Sequence, residues 1–190
     1  MPRRRLWLTL CALALTVALG WPRPWLVVSE LTAQGEVAQR YVFPGGDGTT
    51  FSLRWQHSVE REDWIETFSL SGGDIRVVRS RFKTFGAGVP DTGHASHLER
   101  GWVVLDDIAR QVDPLLVQAA SREHYRMGYS GYCFDLKALG AAPLLHFQQQ
   151  RLPTAAVIGA LWRPWWHWLT SKGRQGPALS QREQHEQENG

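Results

Sequence analysis

In the segment Thr50-Phe-Ser-Leu-Arg-Trp-Gln-His-Ser-Val59, polar residues alternate strictly with a second set that is apolar except for His57. Every second side chain of a strand points to the same face, so this pattern predicts a β-strand with one apolar face. Similar short apolar runs continue from Trp25 to Gln150, interrupted by Gly, Pro, Asp and Ser at intervals of about ten residues. We therefore predict a mainly β protein, with an antiparallel β-sandwich or barrel-like domain that follows an N-terminal hydrophobic helix.

Two polar residues interrupt the predicted apolar faces. His57 lies on the face of Phe51 and Trp55, and Glu66 lies on the corresponding face of the next predicted strand. If residues 60–63 form the connecting turn, antiparallel pairing places His57 directly opposite Glu66. Gly72-Gly73 is a favoured two-residue turn, and it predicts that Arg79 of the third strand pairs with Glu66.

The predicted cluster of His57, Glu66 and Arg79 has two interpretations. In the structural one, Glu66 accepts hydrogen bonds from the other two residues, so that no charge is buried alone. In the functional one, Glu66 orients His57 for acid-base work, and Arg79 or Arg81 binds a carboxylate.

A glycine-rich loop follows the third predicted strand, with Phe85, Gly86, Gly88 and Pro90 as its candidate residues. Its glycines permit backbone angles and close approaches that other residues resist, which suits a tight turn or an anion site made of backbone N–H groups. The Gly-Lys-Ser/Thr ending of a phosphate loop is missing from it.

Metal binding is a minor alternative near this loop. His94, His97 and Glu99 are residue types that bind zinc, but their spacing is not diagnostic. We therefore predict neither a metal nor a cofactor.

The chain divides into four predicted regions. Residues 1–24 form a signal peptide or signal anchor, because Arg3, Arg4 and Arg5 precede an uncharged run that ends at Gly20. Cleavage and retention both stay open, and either outcome places the rest on the periplasmic side of the cytoplasmic membrane. Residues 25–150 form the β-rich domain, 151–170 a Trp-rich segment and 171–190 a disordered polar tail.

The Trp-rich segment contains Trp162, Trp165, Trp166 and Trp168. Trp favours the membrane-water interface, so a segment lying on the membrane surface is one prediction. The alternative is that these rings cover an open face of the β-domain.

The net charge of +3 comes from the N-terminus, since residues 1–20 hold three Arg and no acid. The remainder has 18 Lys and Arg against 18 Asp and Glu and shows no basic run, so we exclude nucleic acid as a partner. Cys11 and Cys133 are the two cysteines, and Cys11 lies in the hydrophobic run, so we predict no disulfide framework.

Three motifs occur in a characteristic order: His57-Ser-Val-Glu60, Glu66-Thr67 and Phe85-Gly-Ala-Gly-Val-Pro90. Together they resemble the bacterial family called domain of unknown function 1850 (DUF1850), over about residues 25–150. The resemblance implies a small exported or membrane-anchored protein, encoded beside tripartite ATP-independent periplasmic (TRAP) transporters of the TAXI subtype. It implies the transporter's permease or solute-binding protein as a partner, and it implies no catalytic residue because the family has no established activity.

These observations support two functional hypotheses. The first is a non-enzymatic accessory protein of a TAXI-type transporter, whose polar cluster is structural or binds a small carboxylate. The second is a periplasmic enzyme that uses His57 and Glu66 as an acid-base pair.

Overall fold

The computed structural model describes residues 2–83, 96–119, 122–136 and 144–171. The described part begins with a helix, continues through eleven strands and ends with a second helix. In chain order these are α1 (Pro2–Gly20), β1 (Pro22–Leu31), β2 (Val37–Pro44), β3 (Thr50–Gln56), β4 (Asp63–Ser71), β5 (Asp74–Phe82), β6 (Ser96–Glu99), β7 (Trp102–Gln111), β8 (Leu115–Gln118), β9 (Arg126–Tyr129), β10 (Tyr132–Asp135), β11 (Leu144–Pro153) and α2 (Thr154–Ser171).

The described strands form two antiparallel sheets. The four-stranded sheet has the order β2-β1-β11-β8, and the seven-stranded sheet has the order β10-β9-β3-β4-β5-β7-β6. The prediction of a mainly β protein is confirmed, and the sheets are not closed into a barrel.

The two sheets share one apolar core. Leu26 and Phe147 of the four-stranded sheet and Phe51 and Phe68 of the seven-stranded sheet are almost fully buried in it. The ring of Phe51 stacks on Phe147 at 5.6 Å and on Phe68 at 5.0 Å, which joins the sheets directly. The predicted alternation in β3 is therefore confirmed at Phe51 and Leu53, which point into the core.

Helix α2 packs on the outer face of the four-stranded sheet. Its Val157 is buried against Trp25, Val27 and Val42, and its Trp165 contacts the ring of Phe134 at 5.8 Å. Among the described side chains of α2, the large apolar ones that are exposed are Ile158, Trp162 and Trp166. The Trp-rich segment thus packs on the four-stranded sheet through Val157 and reaches β10 of the seven-stranded sheet through Trp165.

Helix α1 exposes most of its apolar side chains, including Leu6, Trp7 and Leu13. Among the described residues no helix combines the length and the apolar character needed to cross a membrane. The signal or anchor function of residues 1–24 stays a prediction. The predicted disordered tail lies outside the described residues from 172 onward.

Candidate functional site

The connection between β3 and β4 is longer than predicted. β3 ends at Gln56, and the turn is closed by hydrogen bonds from the His57 N–H to the Glu62 carbonyl at 2.8 Å and from the Arg61 N–H to the His57 carbonyl at 3.0 Å. Consequently Glu66 lies opposite Leu53, and Trp55 lies opposite Trp64. The predicted pairing of His57 with Glu66 is wrong, because His57 belongs to the turn.

The hairpin of β4 and β5 has the predicted register near its turn and a different register further along the strands. The Gly72-Gly73 turn pairs Leu70 with Ile75 and Phe68 with Val77, which confirms the predicted turn. A β-bulge then shifts the register, so that Arg79 lies opposite Thr67 and Ser80 lies opposite Glu66. Because one extra residue moves a side chain to the other face of a sheet, Arg79 and Glu66 are separated.

His57 contacts one residue of the turn and one residue of β4. Its Nδ1 lies 3.7 Å from Oε2 of Glu60, and its ring stacks on Trp64 at a centroid distance of 5.5 Å. The imidazole therefore caps the end of an aromatic row rather than facing Glu66.

Arg79 forms a polar network on the outer face of the seven-stranded sheet. Its Nη2 donates to Oε2 of Glu99 at 2.8 Å, and its Nε lies 2.9 Å from Oδ1 of Asp106. His97 approaches the same two carboxylates at 4.0 and 3.8 Å. A guanidinium that already faces two carboxylates is poorly suited to bind a third one. Arg81, the other predicted cation, lies opposite Ile65 in the sheet, with its guanidinium 5.0 Å from the centre of the Trp102 ring.

Two further candidates lie partly or wholly outside the described residues. The loop with Phe85, Gly86, Gly88 and Pro90 is outside, and so is His94. Within the described residues, no group of His, Cys, Asp and Glu side chains is arranged to hold a metal ion.

Glu66 instead lies in the wall of a cavity of about 530 Å³ between the sheets. One side of the cavity is formed by β3 and β4, and the other side by strand β8 at the edge of the four-stranded sheet. Its described lining residues are Leu53, Trp55, Glu66, Phe68, Leu115, Leu116, Val117, Gln118, Glu123 and Tyr125. The volume falls in the usual range of small-molecule sites in proteins.

An aromatic row supports one wall of this cavity. Trp55 stacks on Tyr125 at 5.6 Å and on Trp64 at 5.8 Å, and Trp64 also contacts Phe82 at 4.9 Å. The indole N–H of Trp64 donates to the hydroxyl of buried Ser80 at 3.0 Å. Stacked, hydrogen-bonded rings of this kind hold the wall in one shape.

The electrostatic environment of the cavity disfavours negative charge. Burial raises the pKa of the Glu66 carboxyl, and the charge of Arg110 opposes that rise. Nη2 of Arg110 lies 3.8 Å from Oε1 of Glu66, but its side chain is half exposed. Burial, followed by the charges of Glu123 and Glu66, raises the pKa of Tyr125 to about 12.

Sequence reasoning identified Glu66 but missed the other polar members of its site. The alternation of β3 already predicts Trp55 on the apolar face, and Tyr125 could have been found because it lies on the apolar side of an alternating run with Met127 and Tyr129. No alternating pattern in the sequence places Arg110 beside Glu66. It comes near Glu66 through an irregular β7, in which Asp107 and Ala109 have positive φ angles of 53° and 50°.

The fold and the cavity define a class of protein, a two-sheet antiparallel β-domain with a carboxylate-bearing cavity between its sheets. A model of the family described as "Domain of unknown function (DUF1850)" matches residues 51–136. This match supports the family resemblance seen in the motifs, and it includes every described residue that lines the cavity. Comparison with curated proteins and with solved structures gave no match.

Proposed function

We propose that this chain is a non-enzymatic accessory protein of a TAXI-type TRAP transporter, which binds a small molecule in the cavity between its sheets. The observation that carries the proposal is the cavity itself, with a buried carboxylate, Glu66, set among Trp55, Phe68 and Tyr125. Cavities with a mostly apolar lining and few polar groups are typical of small-molecule sites. The transporter association rests on the family resemblance.

Binding is favoured over catalysis by the positions of the two acid-base candidates. The enzymatic alternative required His57 beside Glu66, since a base acts only within hydrogen-bond reach of its proton. His57 contacts Glu60 and Trp64 instead, and Glu66 faces the cavity without it.

The proposed location is the periplasmic surface of the cytoplasmic membrane. Arg3, Arg4 and Arg5 would stay in the cytoplasm, by the rule that positive charges flanking an apolar segment are not translocated. The exposed Trp162 and Trp166 on α2 suit the interface between lipid and water, where an indole ring is half buried and half hydrated.

Co-purification from native membranes tests this proposal. The full chain, carrying a C-terminal affinity tag, is extracted under gentle detergent, and its partners are identified by mass spectrometry. We expect a TRAP permease or its solute-binding protein to be recovered. Recovery of neither from membranes that contain the transporter would overturn the proposal.

A matched variant separates transporter binding from membrane contact. Replacing Ile158, Trp162 and Trp166 by Gln removes exposed apolar side chains of α2 and leaves buried Val157 and partly buried Trp165 in place. We expect less protein in the membrane fraction after a high-salt wash, because the interfacial contribution of two indoles is lost. An unchanged membrane fraction would contradict the role given to α2.

A further inference from the structure

The cavity has two carboxylates and no lining cation among its described residues. Glu66 enters it from β4 and Glu123 from the segment before β9, whereas the remaining lining residues are apolar, aromatic or amide. The Glu66 side chain is only 17% exposed, so its charge is poorly solvated. A buried carboxylate without a full partner is unfavourable, and a positively charged guest relieves that cost.

Arg110 neutralises Glu66 only in part. The two groups are 3.8 Å apart, which is longer than a charge-assisted hydrogen bond, and the Arg110 side chain is 51% exposed. Water screens such a half-exposed partner. Glu66 therefore keeps the capacity to accept a hydrogen bond from inside the cavity.

The causes of two pKa shifts describe the environment of Glu66. The pKa of Glu66 is raised chiefly by burial, so the attraction of Arg110 does not compensate for lost hydration. The pKa of Tyr125 is raised by burial and then by Glu123 and Glu66. The Glu66 shift reflects poor solvation of its charge. The charges of Glu123 and Glu66 that help to raise the Tyr125 pKa indicate a negative potential here, which favours a positively charged group.

The other walls suit an apolar body of moderate size. Leu53, Phe68 and Val117 are almost fully buried and form the floor. Trp55 and Tyr125 add aromatic surface beside Glu66. A guest that fits has an apolar or aromatic body and one cationic end.

We infer that the cavity binds a protonated amine with an apolar body, whose ammonium group donates to Glu66 while the body packs against Trp55, Tyr125 and Phe68. This inference rests on the proposed function and specifies its ligand. It replaces the small carboxylate predicted from the sequence, because neither Arg79 nor Arg81 lines the cavity and Arg79 is already paired with Glu99 and Asp106.

Three probes with the same skeleton test the inference: phenethylammonium, phenethyl alcohol and phenylacetate. Each is titrated into the full-length protein in lipid nanodiscs by isothermal titration calorimetry at neutral pH. We expect the amine to bind about 10- to 100-fold more tightly than the alcohol, the usual effect of one charge-assisted hydrogen bond. We expect no detectable binding of the acid.

Two variants identify the group responsible. Glu66→Gln is expected to reduce amine binding to the level of the alcohol and to leave alcohol binding unchanged, which also shows that the cavity is intact. Arg110→Gln removes the competing cation outside the cavity, so amine binding is expected to stay or to become tighter. Loss of amine binding in Arg110→Gln, or its persistence in Glu66→Gln, would overturn the inference.

The inference and the proposed function fail in different ways. Equal binding of all three probes, preferred binding of the acid or no binding of the amine would each overturn the amine inference. Co-purification with the transporter needs no added ligand, so its outcome judges the accessory function independently.

Discussion

Glu66 controls how the stability of the cavity region depends on pH. Burial raises its pKa above the ordinary value of 4.5, so the folded state favours the protonated carboxyl. Ionised Glu66 therefore lowers stability above its folded-state pKa, and this cost disappears as the pH falls through that pKa toward 4.5. We expect Glu66→Gln to raise the free energy of unfolding at neutral pH, with a gain that shrinks toward zero in acid.

Urea denaturation at neutral pH and on the acid side of 4.5 measures this gain. Glu36→Gln is the matched control, because it removes the same charge from an exposed loop between β1 and β2. A gain for Glu66→Gln that is equally large in acid would contradict the assignment of the effect to ionisation.

The hydrogen bond between Trp64 and Ser80 is a second prediction at the residue scale. The indole N–H donates to the Ser80 hydroxyl at 3.0 Å, and both side chains are buried. Ser80→Ala leaves that donor without its acceptor, so we expect a loss of about 1–3 kcal/mol in the free energy of unfolding.

A double-mutant cycle checks the origin of this loss. In a Trp64→Phe background the donor is gone, and Ser80→Ala is expected to cost much less. The same cost in both backgrounds would show that the loss comes from something other than this hydrogen bond.

At the scale of elements, local pattern predicted the faces of strands but not their partners. The alternation of β3 correctly predicted Phe51 and Leu53 as core residues, and Gly72-Gly73 correctly predicted the first two pairs of its hairpin. The prediction of the His57, Glu66 and Arg79 cluster was wrong, because it depended on a short turn between β3 and β4 and on a β4–β5 pair without a bulge. Both are settled by backbone hydrogen bonds and packing, which leave no periodic signal in the sequence.

The segment after β2 illustrates another element-scale constraint. Gly45 lies against β1, and a Cβ added there would be 2.1 Å from the backbone nitrogen of Leu26. Its N–H also faces the Pro24 carbonyl at 3.3 Å, and its carbonyl accepts from Gln149 at 2.7 Å. Gly45→Ala must therefore push two backbone segments apart.

We expect Gly45→Ala to lower the free energy of unfolding by about 3 kcal/mol or more, at the upper end of overpacking effects. Gly46→Ala is the matched control, because nothing lies within 4 Å of a Cβ added at that position. Thermal or urea denaturation of the two variants makes the comparison, and equal stabilities would contradict the close approach.

At the scale of the whole molecule, charge and apolar surface are distributed unequally. All of the net charge of +3 comes from Arg3, Arg4 and Arg5, and the rest of the chain is formally neutral. Exposed apolar side chains are numerous on α1 and recur on one side of α2. The proposed location at a lipid surface would cover the exposed apolar side chains of the two helices.

Export of the domain is the prediction that belongs to this scale. Alkaline phosphatase fused to the C-terminus of the full chain reports the side of the membrane, since its disulfides form only outside the reducing cytoplasm. We expect an active fusion. Replacing Arg3, Arg4 and Arg5 by Glu is expected to reduce its activity strongly, because positive charge at the start of the apolar segment orients it.

The control is a fusion in which three arginines of the β-domain, instead of the three N-terminal ones, are replaced by Glu. Arg76, Arg100 and Arg122 are exposed on the described part of the domain, and replacing them by Glu alters the net charge equally without touching the N-terminus. That fusion is expected to stay active. If both triple variants lose activity to the same extent, or if the unmodified fusion is inactive at normal abundance, the orientation argued from the N-terminal arginines is wrong.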